Sequence, residues 1–298
     1  MLRAILLAAC LLALAPLPGC RRSAPPADPA PVLANLPDYR NIAAESGLRF
    51  SWKQPGVKVW TNRQGFGCGC AFVDYDRDGW QDIFLVGQPK CALFRNNRDG
   101  TFTDVTARAG ITRAGHWNGV ATGDYDNDGY PDLYVSGFAD AMLLHNDAGR
   151  RFTDRARAAG LAEKEWGTSC AFLDYDADGR LDLLVGHYVV TGGSYPKYCQ
   201  GKRGVLTGCP PMVYPPQFPK LFHNVGNGRF VDVTQACGLG MAHGKALALQ
   251  VADYDNDGRV DVYIANDGEP GDLLHNLGGR FENVSMQTGT AFGMSGEA

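Results

Sequence analysis

The sequence predicts an all-β fold, a β-propeller of four-stranded antiparallel blades, and three observations carry that expectation. Glycine is abundant, 38 among 298 residues, and 45% of the chain is apolar against 20% charged, a globular balance suited to short strands and many turns. One acidic segment, Asp-Tyr-Asp-x-Asp-Gly-x-x-Asp, occurs four times, from Asp74 to Asp82, Asp124 to Asp132, Asp174 to Asp182 and Asp253 to Asp261. A second motif trails each copy: LFRNNRDGTFTDVTARAGI from Leu93, LLHNDAGRRFTDRARAAGL from Leu143, LFHNVGNGRFVDVTQACGL from Leu221 and LLHNLGGRFENVSMQTG from Leu273. The first two intervals are about 50 residues and the third is longer, a period that marks a solenoid, a propeller or an array.

The chain opens on an export signal. Arg3 supplies a positive start, Ala4 to Leu17 form an apolar run too short to span a bilayer, and Leu17-Pro18-Gly19-Cys20 closes it. The last four residues have the form of a bacterial lipobox, which makes Cys20 the expected lipidation site and residues 1–20 the signal. Residues 21–37 are rich in Pro and Ala and read as a tether. The expected location is the cell envelope, as a lipoprotein held to the membrane through Cys20, or alternatively the secreted fraction.

The propeller is expected over residues 38–298. In its first unit, Cys70 to Tyr75 reads as a short apolar strand, Asp82 to Val86 as a second, Ala92 to Arg95 as a third and Thr101 to Thr106 as a fourth. Asp99-Gly100 is a hairpin signal because both residue types tolerate positive φ. Four strands in this length make one blade. Tyr39 to Leu48 resembles the tail of the trailing motif without an earlier blade attached, and is expected to form an outer strand of a blade shared between the two ends of a ring. Gly110 and Gly160 each precede an acidic loop at a fixed distance, and from Gly289 that distance falls beyond Ala298. A truncated propeller with further blades is therefore expected.

The acidic loops point to a hard divalent cation, with about four Ca2+ ions expected, one per loop. Carboxylates at positions 1, 3, 5 and 9 of a tight loop can converge, the Gly at position 6 permits the turn, and the carbonyl of position 7 can join them. The expected ligands are Asp74, Asp76, Asp78, Trp80 and Asp82; Asp124, Asp126, Asp128, Tyr130 and Asp132; Asp174, Asp176, Asp178, Arg180 and Asp182; and Asp253, Asp255, Asp257, Arg259 and Asp261. Trp80, Tyr130, Arg180 and Arg259 would serve through their backbone carbonyls. An EF-hand is excluded, because its position 12 needs Glu and this chain has Leu85, Val135, Val185 and Ile264 there. The rival reading, a solvated acidic turn, would leave four carboxylates repelling one another at short range.

Beyond Cys20 the chain carries Cys68, Cys70, Cys91, Cys170, Cys199, Cys209 and Cys237. Cys199 and Cys209 are the expected disulfide, close together in an insertion over about 188–219. Cys70 and Cys170 share a position in two blades and are expected to be buried; Cys68 could pair with Cys91, and the pairing of Cys237 is left open. The insertion holds Tyr188, Tyr195, Tyr198, Tyr214, Lys197, Lys202 and Arg203 among Gly and Pro. It could meet a sugar or an acidic partner, or be a packed and stapled loop. His145, His223 and His275 recur before Asn, with Arg95 in the same slot of the first unit, and are expected to be structural turn residues. A formal net charge of −4 argues against a nucleic-acid partner, which would leave a basic footprint. No nucleophile–base pair, acid/base pair or phosphate loop stands out, so catalysis by this chain is not expected.

At the acidic loops and the trailing motifs the chain resembles the FG-GAP/VCBS-type repeat family, in the manner of bacterial cartilage-acidic-protein-like, integrin-α-like propeller proteins. The literal Phe-Gly signature is reduced to an echo at Gly65-Phe66-Gly67-Cys68-Gly69. The resemblance implies a seven-bladed ring from which this chain is truncated, and calcium in the four loops. The function expected from all of this is an exported calcium-binding propeller that binds or scaffolds a protein or carbohydrate partner. The alternative is an accessory propeller of a larger exported enzyme whose catalytic part lies past residue 298.

Overall fold

In the computed structural model, residues 39–51, 61–67, 69–192, 196–201 and 204–293 are described. The signal, the tether, the Cys20 site, Cys68, Tyr195, Lys202 and Arg203 lie outside them. All strands belong to one unit, Ile42–Ala298; the stretch up to Asn41 forms another. Among the described residues no helix is long and apolar enough to cross a membrane.

The first blade is a meander of β1 (Cys70–Val73), β2 (Asp82–Leu85), β3 (Ala92–Asn96) and β4 (Phe102–Asp104), paired in sequence order. The second repeats it with β5 (Trp117–Gly123), β6 (Asp132–Gly137), β7 (Ala141–Asn146) and β8 (Phe152–Asp154). The third starts with β9 (Gly167–Leu173) and β10 (Asp182–His187). It is interrupted by a small hairpin, β11 (Tyr198–Gln200) and β12 (Leu206–Gly208), and then finished by β13 (Lys220–Gly226) and β14 (Arg229–Asp232). The fourth is β15 (Ala246–Ala252), β16 (Asp261–Asn266), β17 (Asp272–Asn276) and β18 (Phe281–Asn283). The innermost strands β1, β5, β9 and β15 neighbour one another in that order. These are four propeller blades, as the repeat predicts.

Burial follows from blade stacking. β6 and β10 are buried at every residue, because each face of their sheet packs on a neighbouring blade. β15 and β16 at the outer end keep Leu247 and Tyr263 partly in water. The core is accordingly divided by seams rather than by blades. Val73, Phe84 and Leu93 of the first blade meet Trp117, Leu133 and Phe152 of the second in one cluster, and each later seam has its own.

Two devices hold the seams. Phe152 N donates to the Ala109 carbonyl (2.8 Å) and Phe281 N to the Cys237 carbonyl (2.7 Å), so the fourth strands of the second and fourth blades dock on the turn that ends the preceding blade. Residues 42–48 are such a turn and not a strand: Ser46 N donates to Ile42 O, and Phe102 N to Ser46 O, both at 2.8 Å. The second device is an asparagine latch. Asn146 Nδ2 donates to the Tyr75 carbonyl of the blade before it (2.9 Å), Asn224 to Tyr125 (2.7 Å) and Asn276 to Tyr175 (2.8 Å), all three fully buried. At the ends the latch is unmatched. Asn96 reaches only its own blade, at Gln81 O, and no described residue donates to the carbonyl of Tyr254.

Some local expectations differ. β1, β2 and β4 are one to three residues shorter than anticipated and β3 is one residue longer; β1 stops where the Asp82 carboxylate takes over the Tyr75 amide. In the Asn-Arg-Asp-Gly turn the left-handed residues are Arg98 and Gly100; Asp99 instead accepts the Thr101 amide and hydroxyl. Cys70 is exposed rather than buried, whereas Cys170 is buried as expected; Cys91 and Cys237 are buried free thiols. The Cys199–Cys209 disulfide is present. In the insertion, Tyr188 and Tyr214 pack with Trp166 and Cys209 in a closed cluster, so they are core residues and only Tyr198 of the described tyrosines there is exposed.

Candidate metal centres

Each acidic loop leaves the inner strand and returns as the second strand, and its first Asp shapes it. Asp124 Oδ1 and Oδ2 accept the amides of Asp128 (3.0 Å) and Gly129 (2.8 Å), and Asp74, Asp174 and Asp253 do the same in their loops. That turn puts two left-handed residues in the chain, at positions 4 and 6; φ at Gly129 is 89°, a value a side chain would strain. Position 5 caps the carbonyl-bearing residue, Asp128 Oδ1 accepting Tyr130 N at 2.8 Å.

The ninth residue is buried at the start of the second strand. Asp132 accepts the amides of Tyr125 (3.2 Å) and Asn146 (2.7 Å), and Asp82, Asp182 and Asp261 repeat both bonds. One carboxylate thus ties the loop to the third strand as well as pointing at the cluster. Position 3 completes it. Ligand atoms of Asp126, Asp132 and His145 lie within 4.8 Å of one another, as do those of Asp176, Asp182 and His223, of Asp255, Asp257 and His275, and of Asp74, Asp76 and Asp78.

The histidines are therefore part of these clusters, not turn residues. Each lies on a third strand, with Nδ1 against loop carboxylates: His223 is 3.0 Å from Asp182 Oδ1, His275 3.2 Å from Asp261 Oδ1. The signal was their fixed place before the latch asparagine. In the first blade Arg95 takes the slot and pairs with Asp76 (2.7 Å) and Asp78 (2.6 Å), with Arg98 on Asp78 as well. Arg180 and Arg259 turn back onto Asp178 and Asp257.

The second loop has no guanidinium, and there the electrostatics are least satisfied. Burial, with Asp126 and Asp128 adding repulsion against the amide bonds, pushes Asp132 up to about 8, and burial raises Asp126. Burial also takes Asp82 and Asp182 to about 6, while the Arg98 hydrogen bond holds Asp78 below the usual carboxylate range. His145 Nδ1 lies 3.3 Å from Asp126 and 3.4 Å from Asp132 without hydrogen-bond geometry to either, and Asp76 Oδ1 is buried and unpartnered. Crowded carboxylates with orphaned polar atoms fit a cation held by Asp oxygens. Position 3 meets position 9 and the histidine in the second and third loops, position 5 and the histidine in the fourth, and positions 1 and 5 in the first, while both oxygens of position 1 also accept the loop's own amides.

The FG-GAP-like repeat model matches residues 74–135, 128–185 and 212–264. Cartilage acidic protein 1 of Mus musculus is 41% identical over 46 residues, and that of Homo sapiens 39% over 46. Each alignment covers 15% of this chain and 7% of the relative, so only a small part of those proteins is matched. A solved structure of an Agrocybe aegerita lectin, which recognises non-reducing terminal N-acetylglucosamine, aligns with a TM-score of 0.39 and 20% identity, over 71% of this chain and 49% of that one.

Proposed function

The chain belongs to the FG-GAP-like repeat family, and from that premise we propose that it is a calcium-loaded β-propeller acting as a binding or scaffolding module for a protein or carbohydrate partner. The observation that carries the calcium reading is the repeated convergence of Asp oxygens on one point in each blade, at its least compensated in Asp126 and Asp132. Calcium takes six to eight oxygens at tolerant geometry and would supply the positive charge those carboxylates lack. Bound only by the folded chain, it stabilises the fold by mass action. Asp76, Asp126, Asp176 and Asp255 at position 3, with the position 5 and 9 carboxylates and the position 7 carbonyls, would hold it.

Export is part of the same proposal. The apolar start ending at Cys20 supports a lipid anchor in the cell envelope, and the Cys199–Cys209 disulfide suits an oxidising compartment. Calorimetric titration of chelated protein with Ca2+, with the melting temperature followed alongside, tests the reading. Saturable binding of several ions with a clear rise in melting temperature is expected; no binding overturns it.

A further inference from the structure

The insertion returns to the third blade through a strap, Pro216 to Lys220, whose backbone is held on all sides. Gln217 N donates to Tyr188 O (3.1 Å), its carbonyl accepts Lys245 N (3.3 Å) and its Oε1 accepts Trp166 N (3.2 Å). The carbonyl of Phe218 faces Nδ1 of the fully buried His187 at 3.1 Å. On this rigid support Phe218 is nonetheless 50% exposed, and Val190, on the same cleft, 44%. Between them and the end of β14 opens a cleft of about 370 Å3, at the small end of the range for small-molecule sites, roughly 300–1,000 Å3.

The cleft has two chemically different walls. One is apolar: Val190, Pro216, Phe218 and Pro219. The other carries Glu165, Lys220, Asp232 and Gln235. Lys220 Nζ sits 2.8 Å from Glu165, and Asp232 spends Oδ1 on the amide and hydroxyl of Thr234, with no described residue bonded to its Oδ2. Two carboxylates against one ammonium repel an anion. A wholly apolar ligand would strip water from Lys220 and Glu165 and return nothing. A ligand with one C–H face and an edge of hydroxyls, each able to donate and accept, satisfies both walls at once.

We propose that this cleft is a carbohydrate subsite that seats a neutral pyranose, its C–H face on the Phe218 ring and its hydroxyls on Glu165, Lys220, Asp232 and Gln235. The assignment rests on the reading of the chain as a binding module and makes the carbohydrate its ligand; it places no sugar contact on a metal loop. The test is saturation-transfer NMR and calorimetry of the calcium-loaded full chain with glucose, galactose, mannose and xylose. At least one sugar is expected to bind saturably at millimolar concentration or below. Phe218→Ala should weaken it at least about tenfold at unchanged melting temperature, and Gln235→Ala should weaken it without touching the aromatic wall. Phe218→Trp should keep it, and Met212→Ala, on an exposed part of the same insertion, should leave it unaltered. Failure of all four sugars, or binding indifferent to both Phe218→Ala and Gln235→Ala, overturns the subsite. If calcium still raises the melting temperature in that case, the metal-loaded module stands and only its ligand is reassigned.

Discussion

Asn146 does three jobs from one buried position. Its Nδ2 serves the carbonyls of Tyr75 and Pro131, and its Oδ1 accepts Gly149 N at 2.8 Å. Asn146→Ala orphans those groups at a dry seam, and a loss of about 3 kcal/mol is expected by chemical denaturation, against about 1 kcal/mol for Asn96→Ala, which breaks no seam. The loop carboxylates give a pH signature. In chelator, Asp82, Asp182 and Asp132 have folded pKa values raised to about 6, 6 and 8. A raised acid stabilises the fold below its unfolded value and loses that contribution as pH climbs through the folded one. Metal-free protein should therefore melt progressively lower between about pH 4 and 8, and saturating calcium should flatten or reverse the trend. A flat profile without calcium would show these acids to be better paired than their positions imply. The acids were legible in the sequence because four copies display them at one spacing. The histidines were visible too, but a position beside Asn says nothing of a neighbour two strands away until the sheet is folded.

At the scale of elements, strands and insertion behave differently. Repetition made the blades readable, since each strand is short, apolar and bounded by Asp, Asn or Gly. The insertion has no second copy to compare with. Its tyrosines looked equally available, yet Tyr188 spends its hydroxyl on Asp267 (2.6 Å) and packs its ring tilted against Phe66 and edge-to-face with Trp166. The disulfide closes a short loop in the insertion and packs in a cluster of its own, apart from the three seam clusters, so its effect should be local. Cys199→Ser with Cys209→Ser is expected to leave the calcium-loaded melting transition nearly in place while limited proteolysis begins to cut within 188–219. Global unfolding of that variant would mean the insertion is integral to the third blade. Thiols report on the blades themselves. Burial pushes Cys91 and Cys170 up to about 12, and these two, with Cys237, should resist alkylation in the native protein, while Cys70 reacts; mass mapping of labelled peptides decides.

Across the whole molecule the blades converge on their inner strands, and glycine sets how closely. A Cβ on Gly119 of β5 would lie 2.2 Å from the Thr168 carbonyl of β9, and backbone cannot retreat as a side chain can. Gly119→Ala is expected to cost about 3 kcal/mol by forcing the second seam apart. Gly79→Ala, with nothing within 4 Å but a left-handed φ of 87°, should cost about 1 kcal/mol. Equal losses would mean that seam spacing is softer than the contact suggests. The seams also give the assembly a direction. Each blade gives through its asparagine to the blade before it and receives at its tyrosine carbonyl from the blade after, so the row has a giving end at Asn96 and a receiving end at Tyr254. It is polar in the way a row of arrows is polar. Any unit of the same design can join only head to tail, whichever end it meets, and two such rows set head to head would offer each other two donors or two acceptors and no bond.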